Sequence, residues 1–333
     1  MRSARAIAVA AIVLASTATS RADEWRLEPV LTQGAVKAVE NADNGGRLLI
    51  GNGWFRAIPG THAIGLAATV GPAQRQRPKD ALPDGRIAEG KRYIARAWLA
   101  EPTGRYDHAV LGDAIEAGSL VVERRDGTHH VVRLQDDAVF EDLEPRIVDL
   151  GGHDRVLVVK SYVKHGSALA VIGERDAGFA ILAETPPIGT PHRWLNPAGV
   201  ADFDGDGHPD IALVRMPHAA GVLELWAWRD RSLTRTLEVN DVSNHAIGSR
   251  VTRMSTVADF DGDGHADLAI PSFDRRELRL ISFTPKPRDI ARIKLPARVT
   301  TEIALLRGNG GAPVILAGLE NGTAVAVRKA PKR

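Results

Sequence analysis

ADFDGDGHPDIALVR at residues 201–215 returns as ADFDGDGHADLAIPS at residues 258–272. Both copies share the core ADFDGDGH, and each is followed by a further Asp and an apolar run. In the first copy Asp202, Asp204 and Asp206 stand at positions one, three and five of a tight loop. Gly207 permits the turn at six, His208 can offer its backbone carbonyl at seven, and Asp210 stands at nine. The second copy repeats the set with Asp259, Asp261, Asp263, Gly264, His265 and Asp267. These are hard oxygen donors at the spacing of a cation cage. Two carboxylates 4 Å apart repel by about 4 kcal/mol at an effective dielectric near 20, and a divalent ion removes that penalty.

Calcium suits the set better than magnesium, because several carboxylates and a carbonyl on flexible backbone do not impose a strict octahedron. Zinc is disfavoured, since the chain has no cysteine and the two imidazoles fall where a backbone oxygen serves. An EF-hand is excluded. Its loop closes with a bidentate Glu at position twelve between helices, whereas position twelve here is Leu213 or Ile270, inside apolar runs that read as buried strand. Asp210 and Asp267 are therefore expected to close the two cages.

These residues carry a resemblance. The chain resembles the FG-GAP/VCBS repeat family, the calcium-loop β-propeller blades also found in integrin α-subunit heads, over roughly residues 190–295. The resemblance implies a propeller with metal loops on its rim, two calcium ions and a loop joining the first two strands of each blade.

Repetition extends outward from the two loops. RIVDLGGHDRVLVVKSY (146–162) keeps Asp149, a glycine-rich turn and the following strand, and ALLRGNGGAPVILAGL (304–319) keeps Gly308, Asn309 and Gly310. Both read as blades that lost carboxylates, and weaker traces run over 108–127 and 47–58. Short β-rich runs such as VLELWAW (222–228) and LRLISF (278–283) are bounded by Gly, Pro, Asp or Asn. The expected fold is therefore all-β: a β-propeller of about six, or seven, four-stranded blades. The clearest units are 192–240 and 246–296, and the first is taken as 36–100. The mature N-terminus, EWRLEPVL, is expected to supply the outer strand that the last unit lacks, closing the ring by pairing the chain's two ends. Residues 71–93, rich in Pro and charge, read as a long loop.

The chain begins with basic MRSAR, apolar AIAVAAIVLA and STATSRA, which places Ser20 and Ala22 before a cleavage point. Residues 1–22 are expected to be a signal peptide and 23–333 a single exported domain, periplasmic or secreted. The apolar run is short for a permanent span, so no membrane span is expected after cleavage. With no cysteine there is no disulfide, thiolate metal site or haem-attachment motif. Removing Arg2, Arg5 and Arg21 from the 43 basic residues, against 41 acidic ones, takes the formal charge from +2 to −1, which gives no nucleic-acid footprint.

Segments 185–199 and 242–255 run from one unit into the next and carry His192, Arg193, Trp194, His245 and Arg250. In a propeller such crossovers gather near the central mouth, making these five a candidate pocket for an anionic or sugar ligand. The competing reading has them hydrogen-bonding the turns between blades. Trp226 and Trp228 share one strand face and read as core between sheets. No nucleophile elbow, metalloprotease helix, phosphate loop or dinucleotide fingerprint is present. The function expected is an exported calcium-binding module that binds or scaffolds a protein or glycan. The alternatives are a carbohydrate-active lyase or hydrolase using the mouth and a cell-surface adhesion protein.

Overall fold

The computed structural model describes residues 25–42, 45–73 and 76–330. The expected signal peptide, residues 1–22, lies outside the described residues. Among the described residues the only helical element is the three-residue turn Asn309–Gly311, and no helix is long and apolar enough to cross a membrane.

The remaining elements are strands paired antiparallel, with longer segments running from one set of four into the next. Val36–Ala42, Gly45–Ile50, Gly53–Pro59 and Ile64–Thr69 form the first sheet in sequence order. Leu195–Ala201, Asp210–Arg215, Val222–Arg229 and Ser232–Val239 form the fourth set, and Thr256–Ala258, Asp267–Pro271, Glu277–Ser282 and Arg288–Lys294 the fifth. In both sets an acidic loop joins strand one to strand two, so the carboxylate at loop position nine is also the first strand residue, Asp210 or Asp267.

Between the first and fourth sets lies one nine-stranded sheet. Its second set is Ala88–Glu89, Ile94–Thr103, Glu116–Arg124 and His129–Arg133. Its third set is Arg146–Asp149, Asp154–Tyr162, Gly166–Arg175 and Gly178–Glu184. The short strand Ala138–Phe140 fuses them, pairing with Asp154–Tyr162 along its length and with the second set through Phe140 and Ala117. The spacing of the sequence placed residues up to 100 in the first unit, but Ile94–Thr103 pairs with Glu116–Arg124 and belongs to the second set. Its opening strand, Ala88–Glu89, lies inside the stretch read as a long loop; two residues are too short to show a period.

The last sheet contains both ends of the described chain. Val299–Arg307, Pro313–Leu319 and Ala324–Lys329 pair in sequence order, and Trp25–Val30 adds the outer strand with Trp25 opposite Lys329 and Val30 opposite Ala324. This covers the edge that three strands would leave open.

Neighbouring sets pack face to face through apolar side chains. Phe140, Val156 and Ile172 join the second and third sets, while Leu157, Val171, Trp226 and Trp228 join the third and fourth. Phe203, Leu225, Leu268 and Ile281 join the fourth and fifth. Trp25, Phe260, Leu280 and Ile315 join the fifth to the last, and Leu48, Leu306 and Leu316 join the last to the first. Fully burying each such side chain contributes about 1.5–3 kcal/mol. Among the described residues no apolar cluster joins the first set to the second. A polar cleft of about 850 Å3 lies there instead, lined by Glu40, Arg47, Arg77, Arg86 and Glu302 among others.

Candidate metal centre

Each acidic loop is folded by its own carboxylates before any ion is considered. Asp202 accepts the amides of Gly205 (2.8 Å, Oδ1) and Gly207 (2.9 Å, Oδ2). Asp204 accepts Asp206 N at 3.1 Å and Asp206 accepts His208 N at 2.9 Å. The second loop repeats the pattern: Asp259 accepts Gly262 N (2.6 Å) and Gly264 N (2.9 Å), Asp261 accepts Asp263 N (3.2 Å), and Asp263 accepts His265 N (2.9 Å). Short Asp side chains bonding the backbone two or three residues on drive such turns. The turns need left-handed backbone at Gly205 (φ 78°) and Gly207 (φ 86°), which glycine supplies without steric cost.

The result is a converging oxygen set. Carboxylate oxygens of Asp202, Asp204 and Asp206 lie within 4.8 Å of one another, and so do those of Asp259, Asp261 and Asp267. Asp267 belongs to the second cluster, whereas Asp210 is not in the first and Asp263 is not in the second; Asp210 and Asp267 both tie back to the start of their own loop. Asp210 Oδ2 accepts Phe203 N at 3.2 Å and Asp267 Oδ2 accepts Phe260 N at 2.7 Å. In both residues the other oxygen, Oδ1, is buried and has no hydrogen-bond partner among the described residues. Burial pushes both carboxyls up to about 6, with Asp204 and Asp206 adding to the rise at Asp210, and Asp261 and Asp263 at Asp267. A buried, unbonded carboxylate oxygen costs several kcal/mol unless a cation answers it, and an all-oxygen donor set of this size fits a hard divalent ion.

An arginine from the outer hairpin braces each loop. Arg229 bonds Asp206, and Arg288 Nη2 donates to Asp261 Oδ2 at 2.6 Å. The degenerate turn at 149 has an arginine as its counter-charge: Arg92 donates to Asp149 Oδ2 and to Gly152 O, both at 2.5 Å. At the other degenerate turn, Gly308 N donates to Ala312 O at 2.8 Å. The His208 side chain is exposed beside Arg229 in a groove between the third and fourth sets. The His265 side chain packs on the first loop, where a Cβ added to Gly205 would stand 2.7 Å from His265 Cε1.

The five crossover residues group as Trp194 with His245, His192 with Arg193, and Arg250 apart, and the first two groups meet at Glu141, whose carboxylate contacts His108 at 2.6 Å. Trp194 and His245 meet, with centroids 4.8 Å apart, and both are buried. The Trp194 indole donates to Glu141 O at 3.0 Å, and His245 contacts His218 Nε2 through Nδ1 (2.8 Å) and Ser249 O through Nε2 (2.8 Å). His192 stacks on His108 at 5.3 Å and reaches Asp107 at 3.1 Å, while the neighbouring Arg193 folds back onto His192 O at 3.1 Å. Arg250 pairs with Asp84 at 3.1 Å.

Inner strands and their lead-in segments converge elsewhere, at a polar hub. Arg86 bonds Glu302 at 2.6 Å, Arg253 bonds Glu144, and Arg146 bonds Asp142 at 2.6 Å and Asn196 at 3.3 Å. Asn196 Nδ2 donates to Thr252 O at 2.9 Å, and Asn41 exchanges bonds with Ile303 O (3.0 Å) and Leu305 N (3.1 Å). Arg86, Glu144, Arg253 and Glu302 share no sequence motif and meet only through the sheet arrangement.

The loops and sheets together define a repeat-built, all-β protein with candidate cation cages. Residues 202–270, which span both acidic loops, match the FG-GAP-like repeat, and the chain carries that repeat there. No curated protein matches the chain. Among solved structures it is similar to BBS1N in complex with ARL6DN, soaked with lead, at 11% identity and TM-score 0.48 over 93% of this chain and 98% of that one. A luciferin-regenerating enzyme is similar at 10% identity and TM-score 0.43, over 92% of this chain and 96% of that one. The rhamnogalacturonan lyase YesW is similar at 13% identity and TM-score 0.40, over 90% of this chain and 62% of that one.

Proposed function

We propose that the chain is an exported β-propeller of six blades, closed by its terminal strands and stabilised by two structural calcium ions, that serves as a binding or scaffold module for a protein or glycan. The six four-stranded sets, with apolar packing from the second through the last and from the last to the first and a polar cleft between the first and second, support the wheel. The observation that carries the ion role is a pair of buried oxygens beneath the acidic loops, Asp210 Oδ1 and Asp267 Oδ1, each without a hydrogen bond among the described residues; only Arg229, 3.9 Å from Asp210 Oδ1, faces the first. In this reading each ion answers that oxygen and ties the first two strands of its blade together, adding stability as free calcium exceeds the dissociation constant. Export through residues 1–22 suits the ion, because calcium sites of extracellular modules need only modest affinity.

Thermal melting of the mature chain tests it. Chelation lowers Tm and calcium restores it better than equimolar magnesium. Asp204→Ala and Asp261→Ala each remove part of that response. A Tm indifferent to chelator and calcium in the parent chain sinks the ion role.

A further inference from the structure

Next to the first acidic loop, a groove of about 650 Å3 opens between the third and fourth sets, lined by Arg155, His153, His208, Trp228 and Arg231 among others. Its charges are unevenly answered. Glu174 pairs with Arg124 at 2.8 Å, and Arg229 is spent on Asp206. Arg155 is only 7% exposed, and its Nε is buried without a hydrogen-bond partner. Its one hydrogen bond among the described residues runs from Nη1 to the carbonyl of Asp154 at 2.9 Å. Arg231, exposed at the hairpin turn, has no ion pair among the described residues; Asp230 precedes it in the same turn.

The berth for Arg155 is built into the sheet. A Cβ at Gly173 would stand 2.6 Å from Arg155 Cδ and 2.9 Å from its Nε, so glycine at that strand position gives the side chain its path. Burial depresses the Arg155 guanidinium, the nearby charge of Arg231 adds to this, and Glu174, Asp154 and Asp149 act against it. A guanidinium so buried destabilises the fold unless an anion answers it, and its planar fork suits carboxylate, phosphate or sulfate oxygens.

We propose that this groove is a binding site for the oxyanion group of a small ligand, held by Arg155 at its floor and Arg231 at its lip. The groove adjoins the first acidic loop, and that loop's His208 and its bracing Arg229 also line it, but Arg155 and Arg231 themselves belong to neither candidate cation cage. The ligand's shared chemistry is a carboxylate or sulfate-like group, which an acidic sugar or a free inorganic anion can supply.

The test is calorimetric titration of the full mature chain, in calcium and at low ionic strength, with sulfate, glucuronate and neutral glucose. Sulfate and glucuronate are expected to bind and glucose not to. Arg231→Asn, which suits the left-handed backbone at that turn (φ 60°), weakens both about tenfold, and Arg155→Met weakens them at least as much, the scale of a lost charge-assisted bond. Tighter binding of glucuronate assigns the group to an acidic sugar, and tighter binding of sulfate to an inorganic anion; either supports the site. In anion-free buffer Arg155→Met should melt at or above the parent, because it removes a buried charge that forms no ion pair among the described residues. Binding of neither anion, binding unchanged in Arg231→Asn, or a marked fall in the melting temperature of Arg155→Met overturns the proposal.

Discussion

The imidazole of His265, in the second acidic loop, lies against the α-carbon of Gly205 in the first, so close that a single added Cβ would meet it at 2.7 Å. The two candidate cages therefore touch, and the contact joins adjacent sheets at their rim.

Gly205→Ala tests that contact. It meets both a left-handed backbone (φ 78°) and the His265 ring, whereas Gly207→Ala meets left-handed backbone (φ 86°) with nothing within 4 Å. Gly207→Ala is expected to cost about 1 kcal/mol through strain alone, and Gly205→Ala more, read from urea midpoints. Equal losses would mean that the His265 contact carries no energy.

Asp210→Asn and Asp267→Asn are expected to change sign with calcium. In chelator each variant removes a buried negative charge, faced at Asp210 only by Arg229 at 3.9 Å, and melts at or above the parent. In calcium each lacks a charged ligand and melts below it. Melting curves under both conditions decide, and a loss of equal size in both would make these residues purely structural.

Stability should fall in mild acid through His218 and His245. Burial, with positive Arg275 nearby, pulls His218 down to about 4, and burial beside His218 pulls His245 down to about 3. Both lie below the unfolded value of 6.5, so the unfolded chain binds more protons. Their contribution is complete above pH 6.5 and drains away as pH falls toward 4. Urea midpoints between pH 7 and 4.5 should decline less steeply in His218→Gln than in the parent.

Trp25→Ala is expected to cost about 3–5 kcal/mol, because the ring is buried against Phe260 at 5.9 Å and its strand covers the edge of the last sheet. Light scattering should rise together with the loss of stability, since the edge Ala324–Lys329 would be uncovered more often.

The acidic loops were legible because their chemistry is local: every carboxylate from Asp202 to Asp210 lies within one turn of chain. The strand that completes the last sheet was legible for a different reason, since three apolar runs near the C-terminus lacked a fourth and EWRLEPVL stood unassigned. Ile94–Thr103 was misallocated because two residues, Ala88–Glu89, are too few to announce a new unit. The hub of Arg86, Glu144, Arg253 and Glu302 stayed hidden, as did the resting of His265 on Gly205. Both depend on which strands end up neighbours, a property spread over the whole chain.

Trp25 opposite Lys329 also sets an order of events. A ribosome adding about 5–20 residues per second releases Trp25–Val30 long before Ala324–Lys329 exists, so that strand must wait, unpaired, until its partner follows. Completion of the final sheet is then the most sequence-distant closure in the molecule and, with loop entropy charged before contacts repay it, the step most exposed to aggregation on the way to the native state.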